Sequence, residues 1–345
     1  MSSVKQTIFI TSPLEPEHVA RVRAVSPEVE VIYEPDCLPP IRYIADHDGR
    51  EDFRRTPEQE ERWRAALARA TILFDFPSDG LASAPNVRWV QTTSSGVGRR
   101  VHALGLADSD LLVTTARGVH ADSLTEFVFL VLLMHAKDLP RLQKDQAERR
   151  WDRYCCGELA GKTIAVVGAG QIGARTGTIA KAFGMRVLAL VNSPAPERRA
   201  ELSADDVFGQ DDLHKVLGAA DYVVLATPHT PQTDRMIDAA AIAAMKPGVV
   251  LINIARGQVV DEPAMIEALK RGHIGFAGLD VQAVEPLPLD SPLWSLPNVL
   301  ISPHSASTAP SENGKITDIF CRNLTHYLAG ELGAMVNVLD KKRMY

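Results

Sequence analysis

The stretch that most restricts the fold is a strand-like run, Thr163 to Val167, which enters Gly168-Ala169-Gly170-Gln171-Ile172-Gly173. It continues as an Ala- and Thr-rich segment able to be helical as far as Phe183. Strand, glycine turn and helix in that order open a βαβ unit, and Arg186 to Val191 supplies its second strand. The first glycine permits the tight turn, the second lets a pyrophosphate approach the backbone, and the third admits close helix–strand packing. The helix N-terminus adds N–H donors and a positive dipole end. The run therefore predicts a dinucleotide site with Gly168, Gly170, Gln171, Ile172 and Gly173 against the phosphates.

The same alternation extends through the chain. Strand-like runs at Thr7 to Thr11, Val29 to Tyr33, Thr71 to Phe74 and Val87 to Gln91, with a helical stretch from Pro57 to Arg69, form one candidate unit. A helical connector, Asp122 to Lys137, leads to a larger unit that adds strands at Tyr222 to Ala226, Val249 to Asn253, Gly275 to Leu279 and Val299 to Ser302. Pro140 either kinks the connector or begins a second helix to Arg150. A final helix, Ala309 to Leu328, and a polar tail can return to the first unit. The pattern predicts an α/β protein with parallel sheets, and 345 residues suit about two domains at roughly 150 residues each. The Pro-rich segment Pro35 to Arg55 reads as a long irregular loop of the kind that carries substrate contacts.

Composition narrows the partners. A formal charge of −6 offers no net positive field to gather nucleic acid or anionic lipid. The most continuous apolar run, Phe127 to Met134, falls well short of the roughly 20 residues that span a bilayer. A small-molecule partner is expected, with no nucleic acid and no membrane. The start, Met1 to Thr11, lacks the pattern of a secretory signal, so a cytoplasmic location is expected. Among the four cysteines, the neighbours Cys155 and Cys156 do not make a C-x-x-C pair, and neither a disulfide framework nor a metal site is suggested.

The second strand of the βαβ unit bears on the cofactor. An acidic residue about 20 positions beyond the glycines would hold the 2′-hydroxyl of NAD; here the strand ends in Leu190-Val191-Asn192-Ser193, with Arg198 and Arg199 following. With no carboxylate to repel a 2′-phosphate, and with Asn192, Ser193 and Arg198 as donors, NADP(H) is favoured and NAD(H) remains possible. The arginines can equally be solvated surface charges.

Three polar residues stand at other strand ends. Val249 to Ile252 runs into Asn253-Ile254-Ala255-Arg256-Gly257; Gly278-Leu279-Asp280-Val281 is followed by Glu285-Pro286; and Val299 to Ser302 ends in Pro303-His304. Singly, each has an ordinary surface or loop explanation. Together, at the carboxyl edge where open α/β sheets bind ligands, they supply a fixed cation, a titrating imidazole and a carboxylate to orient and charge it.

These segments, with Ala226-Thr227-Pro228-His229-Thr230-Pro231-Gln232-Thr233 and Ser302-Pro303-His304-Ser305-Ala306, make the chain resemble the D-isomer-specific 2-hydroxyacid dehydrogenases over nearly its whole length. The resemblance implies a Rossmann-type, doubly wound dinucleotide domain over residues 101–304. This domain would be inserted into a smaller flavodoxin-like substrate domain made of residues 1–100 and 305–345. It implies that Arg256 binds the substrate carboxylate and carbonyl, that His304 is the acid/base, and that Glu285 supports His304. Asp280 would lie near the nicotinamide carboxamide, while Thr227, Pro228, Thr233 and Ala255 would line the cofactor. The backbone of Ser95, Gly96 and Val97 would hold the substrate.

The loop Trp151 to Gly157 is similar to a segment that, in glyoxylate and hydroxypyruvate reductases, reaches the partner subunit's site. Trp151 or Tyr154 is thus either a specificity element or a packing aromatic. A homodimer is expected, because Asp122 to Lys137 is apolar around much of its circumference. Small 2-oxo acids such as glyoxylate, hydroxypyruvate or pyruvate are expected substrates, with phenylpyruvate-type acids open. Corepressor-like nucleotide sensors and phosphite-type dehydrogenases are the alternatives. Thr125 departs from the family pattern, in which Ala commonly precedes the connector's Glu.

Overall fold

A computed structural model describes residues 5–344; the first four residues of the start read above, and Tyr345, lie outside it. The chain divides into two units, residues 1–120 with 308–345, and residues 121–307.

In the first unit five short strands, β1 (Thr7–Ile10), β2 (Glu30–Tyr33), β3 (Ile72–Phe74), β4 (Trp89–Gln91) and β5 (Leu112–Thr114), form a parallel sheet in the order β2-β1-β3-β4-β5. This is the flavodoxin-like order. Because parallel sheets are covered on both faces, their strands are largely apolar runs, and the pleat sends alternate side chains to opposite layers. Ile8, Ile10, Ile72, Phe74 and Trp89 pack with the helices Pro16–Ala24 and Glu312–Leu328, whereas Phe9, Leu73, Val90 and Val113 pack with Trp63 and Leu67 of the helix Pro57–Arg69. That helix begins at a reciprocal Thr56–Gln59 capping box. The strand β5 has no counterpart in the strands expected above, and it carries this unit past residue 100 to His120. The segment Pro35 to Arg55 is irregular apart from one turn at Pro35–Cys37.

The second unit holds β6 (Thr163–Val167), β7 (Arg186–Leu190), β8 (Asp206–Phe208), β9 (Tyr222–Leu225), β10 (Val249–Asn253), β11 (Ile274–Leu279) and β12 (Val299–Ile301), all parallel, in the order β12-β11-β10-β9-β6-β7-β8. Counted from β6, six of them follow the doubly wound order 3-2-1-4-5-6 with a seventh strand at the edge. The order reverses between β6 and β9, so the turn after β6 lies at the switch point where such sheets bind ligands. One face is covered by the helices Ala121–Lys137 and Gln171–Ala182, the other by Leu213–Ala219, Ala239–Ala244 and Glu262–Lys270. Pro140 does not kink the connector: the chain turns at Asp138, with a left-handed φ of 51°, and a new helix Leu139–Ala147 starts. Among the described residues no helix is long and apolar enough to cross a membrane.

Candidate active site

The glycine turn has the shape a pyrophosphate needs. Gly168 has φ +91°, and a Cβ there would lie 2.6 Å from the Thr227 backbone at the end of β9. Gly173 meets the Gly168 carbonyl at 2.7 Å and Val166 at 2.9 Å on the same measure, so the helix Gln171–Ala182 sits directly on β6. Gly170, between them, has nothing within 4 Å of its Cβ position, and it caps the helix with no side-chain hydrogen bond. Two glycines are thus demanded by protein packing, and the third faces open space at a helix N-terminus. A dinucleotide phosphate fits that place, where Gln171 and Ile172 begin the helix.

Other residues expected at the cofactor lie around this edge. Asn192 and Ser193 are exposed after β7, and the Asn192 side chain accepts from Gln210 Nε2 at 2.9 Å. Arg198 opens a short helix and reaches Glu201 at 3.4 Å, while Arg199 reaches Asp206 at 3.3 Å. Thr233 spends its hydroxyl on the loop itself, donating to the Pro228 carbonyl at 2.7 Å and accepting from the Thr230 N–H at 2.8 Å. Its hydroxyl therefore shapes the Thr227-Pro228 turn.

The ends of β10, β11 and β12 bring the polar residues together. Asp280, 1% exposed, accepts from Ser302 Oγ at 2.6 Å and from the Ala306 N–H at 2.9 Å, and its carbonyl accepts from the His304 N–H at 2.9 Å. These bonds hold His304 at a left-handed φ of +53°, a costly conformation for a non-glycine residue and one that clusters at functional sites. His304 Nδ1 lies 2.8 Å from Glu285 Oε2, and Glu285 Oε1 accepts from the Gln282 N–H at 2.9 Å. Since a carboxylate only accepts, Nδ1 carries the proton in this pair and Nε2 is the nitrogen left for proton exchange.

Burial raises the Glu285 carboxyl. The His304 bond, the Gln282 N–H and the charges of His304 and Arg256 outweigh that effect and hold it below its ordinary value. Arg256 follows Ala255, whose N–H donates to Asn253 Oδ1 at 3.0 Å and whose carbonyl accepts from Arg256 Nη1 at 2.7 Å. Three groups thus share one edge of one sheet: a guanidinium for a carboxylate or developing alkoxide, an imidazole for a proton, and a carboxylate that fixes the imidazole.

Ser95 and Gly96 are exposed and Val97 is buried in the turn after β4, in the first unit. The turn is closed by the Ser94 carbonyl, which accepts from Thr92 Oγ1 at 2.6 Å, and by Ser94 Oγ, which accepts from the Gly96 N–H at 3.3 Å. Trp151 is 94% exposed and lines a surface hollow of about 840 Å³ with Leu139, Leu142 and Tyr154; Arg256, Glu285 and His304 do not line it. Thr125 is buried with its hydroxyl 3.4 Å from that of Thr176, on the helix that follows the glycine turn.

Residues 129–306 match the family model described as D-isomer specific 2-hydroxyacid dehydrogenase, NAD binding domain. The D-3-phosphoglycerate dehydrogenase of Mycobacterium tuberculosis (strain H37Rv) is 34% identical over 335 residues, 94% of this chain and 57% of that protein. The chain therefore spans little more than half the length of that relative. The glyoxylate reductase of Korarchaeum cryptofilum is 31% identical over 79% of this chain and 82% of its own. Among solved structures, a D-isomer specific 2-hydroxyacid dehydrogenase from Xanthobacter autotrophicus in complex with NADPH and MES has a TM-score of 0.78 at 28% identity, covering 99% of this chain and 100% of that one. The glycine turn and the residues at the β10, β11 and β12 edge all fall within the matched region, and this chain belongs to the D-isomer specific 2-hydroxyacid dehydrogenase family.

Proposed function

We propose that the protein is an NAD(P)-dependent 2-oxo acid reductase and D-2-hydroxyacid dehydrogenase that favours NADP(H). The observation that carries this reading is the 2.8 Å bond that His304 Nδ1 donates to Glu285, beside Arg256. Arg256 holds the substrate carboxylate and stabilises negative charge on the carbonyl oxygen. The bound nicotinamide supplies the hydride that the carbonyl carbon gains. His304 Nε2 delivers the proton to the oxygen, while Glu285 keeps the imidazole oriented through Nδ1. Asp280 holds the His304 turn, and the nicotinamide carboxamide would lie beside it.

Small substrates such as glyoxylate, hydroxypyruvate or pyruvate, or a phenylpyruvate-type acid, suit a clamp that grips only the shared 2-oxo acid group. The preference for NADP(H) rests on the absence of a carboxylate from Leu190 to Ser193 and on Arg198. Its surface pair with Glu201 is weak enough for a phosphate to displace. Absorbance loss of NADPH and NADH, followed side by side with each 2-oxo acid, is expected to give a lower KM for NADPH. Equal or reversed values refute the preference, and absence of turnover with every 2-oxo acid refutes the enzyme.

A homodimer in the cytoplasm completes the proposal. On the connector helix Leu130 is 49% exposed, and Phe127, Leu133 and Met134 are only half-buried.

A further inference from the structure

The proposed catalytic groups come from three separate loops, so something must set their register. One residue does so for two of them. Ala283 lies in the turn that carries Glu285, and both of its backbone polar groups are bonded by side chains from the segment after Arg256. Gln258 Nε2 donates to the Ala283 carbonyl at 2.9 Å, and Glu262 Oε2 accepts from the Ala283 N–H at 2.9 Å. Gly257, just before Gln258, is pressed against the same turn: a Cβ there would fall 1.9 Å from the Gln282 carbonyl group. The neighbouring Gln282 N–H is the donor to Glu285 Oε1. The Ala283 N–H belongs to the Gln282–Ala283 peptide and its C=O to the Ala283–Val284 peptide, so the two planes that flank the Ala283 Cα are each held by one side chain, and the first adjoins the peptide whose N–H aims Glu285.

We propose that Gln258 and Glu262 are positioning residues of the reaction, gripping the two peptides that flank Ala283 so that the Arg256 loop and the Glu285 turn keep one register. This rests on the reading of Glu285 and His304 given above. Neither residue touches the reacting atoms. Glu262 is the first residue of the helix Glu262–Lys270, whose cap is Asp261 through the Ala264 N–H, so Glu262 is not needed as the cap. Without the grip, the Gln282 N–H turns away from Glu285 and the carboxylate loosens from Nδ1. The charged groups that act on Glu285 are then still His304 and Arg256, but at poorer geometry.

The test compares Glu262→Ala with Glu262→Gln in the full chain. The Gln variant keeps a carbonyl oxygen for the Ala283 N–H, and the Ala variant does not. We expect Glu262→Ala to lower kcat about tenfold or more, as misplacements of under an ångström do, with KM for NADPH unchanged. The acid limb of its pH profile is expected to move up toward an ordinary glutamate, and Glu262→Gln is expected to restore both. By NMR, the downfield signal of the His304 Nδ1 proton is expected to be lost to exchange in the Ala variant and to return in the Gln variant. This readout needs no turnover, so it stands even if no 2-oxo acid is reduced. An unchanged Nδ1 signal and acid limb in the Ala variant overturn the proposal, as does a loss of kcat that the Gln variant does not rescue.

Discussion

Replacing His304 with Ala is expected to lower 2-oxo acid reduction by about 10² to 10⁴-fold, the usual worth of a positioned general acid, while NADPH titrated by fluorescence binds as before. The split follows from where His304 sits. Its backbone is fixed by Asp280, its Nδ1 by Glu285, and only Nε2 is left for chemistry. The glycine turn that accounts for the pyrophosphate lies after β6 and shares no side chain with it. The left-handed φ of His304 sharpens the expectation, because Ala relieves little of that strain and supplies no proton. Turnover in His304→Ala within a few fold of the parent removes His304 from the acid role, and loss of NADPH binding would mean that the turn, not the imidazole, was disturbed.

The parts of this fold legible in the sequence are those for which a local backbone demand leaves one residue type. Gly168 and Gly173 belong to this class, since the packing of β6 against β9 and the following helix leaves no room for a Cβ. The doubly wound order follows from apolar runs that alternate with helices, and Arg256, Glu285 and His304 stand out because each follows such a run. The strands β5 and β8 escape the same reading: each has three residues and neighbours rich in Asp or Ser. What fixes β5 is remote, with Thr114 Oγ1 accepting from Trp89 Nε1 and donating to Gln91 Oε1, both at 2.8 Å. The grip on Ala283 is invisible for the same reason, as Gln258 and Glu262 act on a residue more than 20 positions away. The role of His47, within the long loop Pro35 to Arg55, is hidden in the same way, because its partner lies 265 positions further on.

That partner, Glu312, carries the largest stability effect expected in the first unit. It is 6% exposed at the start of the helix Glu312–Leu328, and its Oε1 is shared by His120 Nε2 at 3.1 Å and His47 Nε2 at 3.3 Å. His47 Nδ1 in turn meets Ser12 Oγ at 3.0 Å, just beyond β1. Burial raises the Glu312 carboxyl, but the bonds and charges of His120 and His47 override it and hold it at about 2, against 4.5 ordinarily. Burial lowers His47, yet its bond to Glu312 and the charges of Asp75, Glu312 and Asp48 leave it raised above 6.5.

The signs are opposite. Glu312 contributes stability that is present above pH 4.5 and lost as pH falls toward 2, whereas the His47 contribution is complete below pH 6.5 and lost as pH rises through its raised value. Stability of this unit is therefore expected to peak between those limits and to fall on both sides. Glu312→Ala, which leaves a buried and a partly buried imidazole without their carboxylate, is expected to cost about 3 kcal/mol near pH 5.5 and to flatten both slopes. Urea unfolding followed through Trp63 and Trp89, both buried in this unit, reads the effect, since Trp151 and Trp294 are exposed in the other unit. Equal unfolding midpoints for parent and variant at pH 5.5, or parallel pH dependences, would show that the cluster does not hold the helix, the long loop and β1 together.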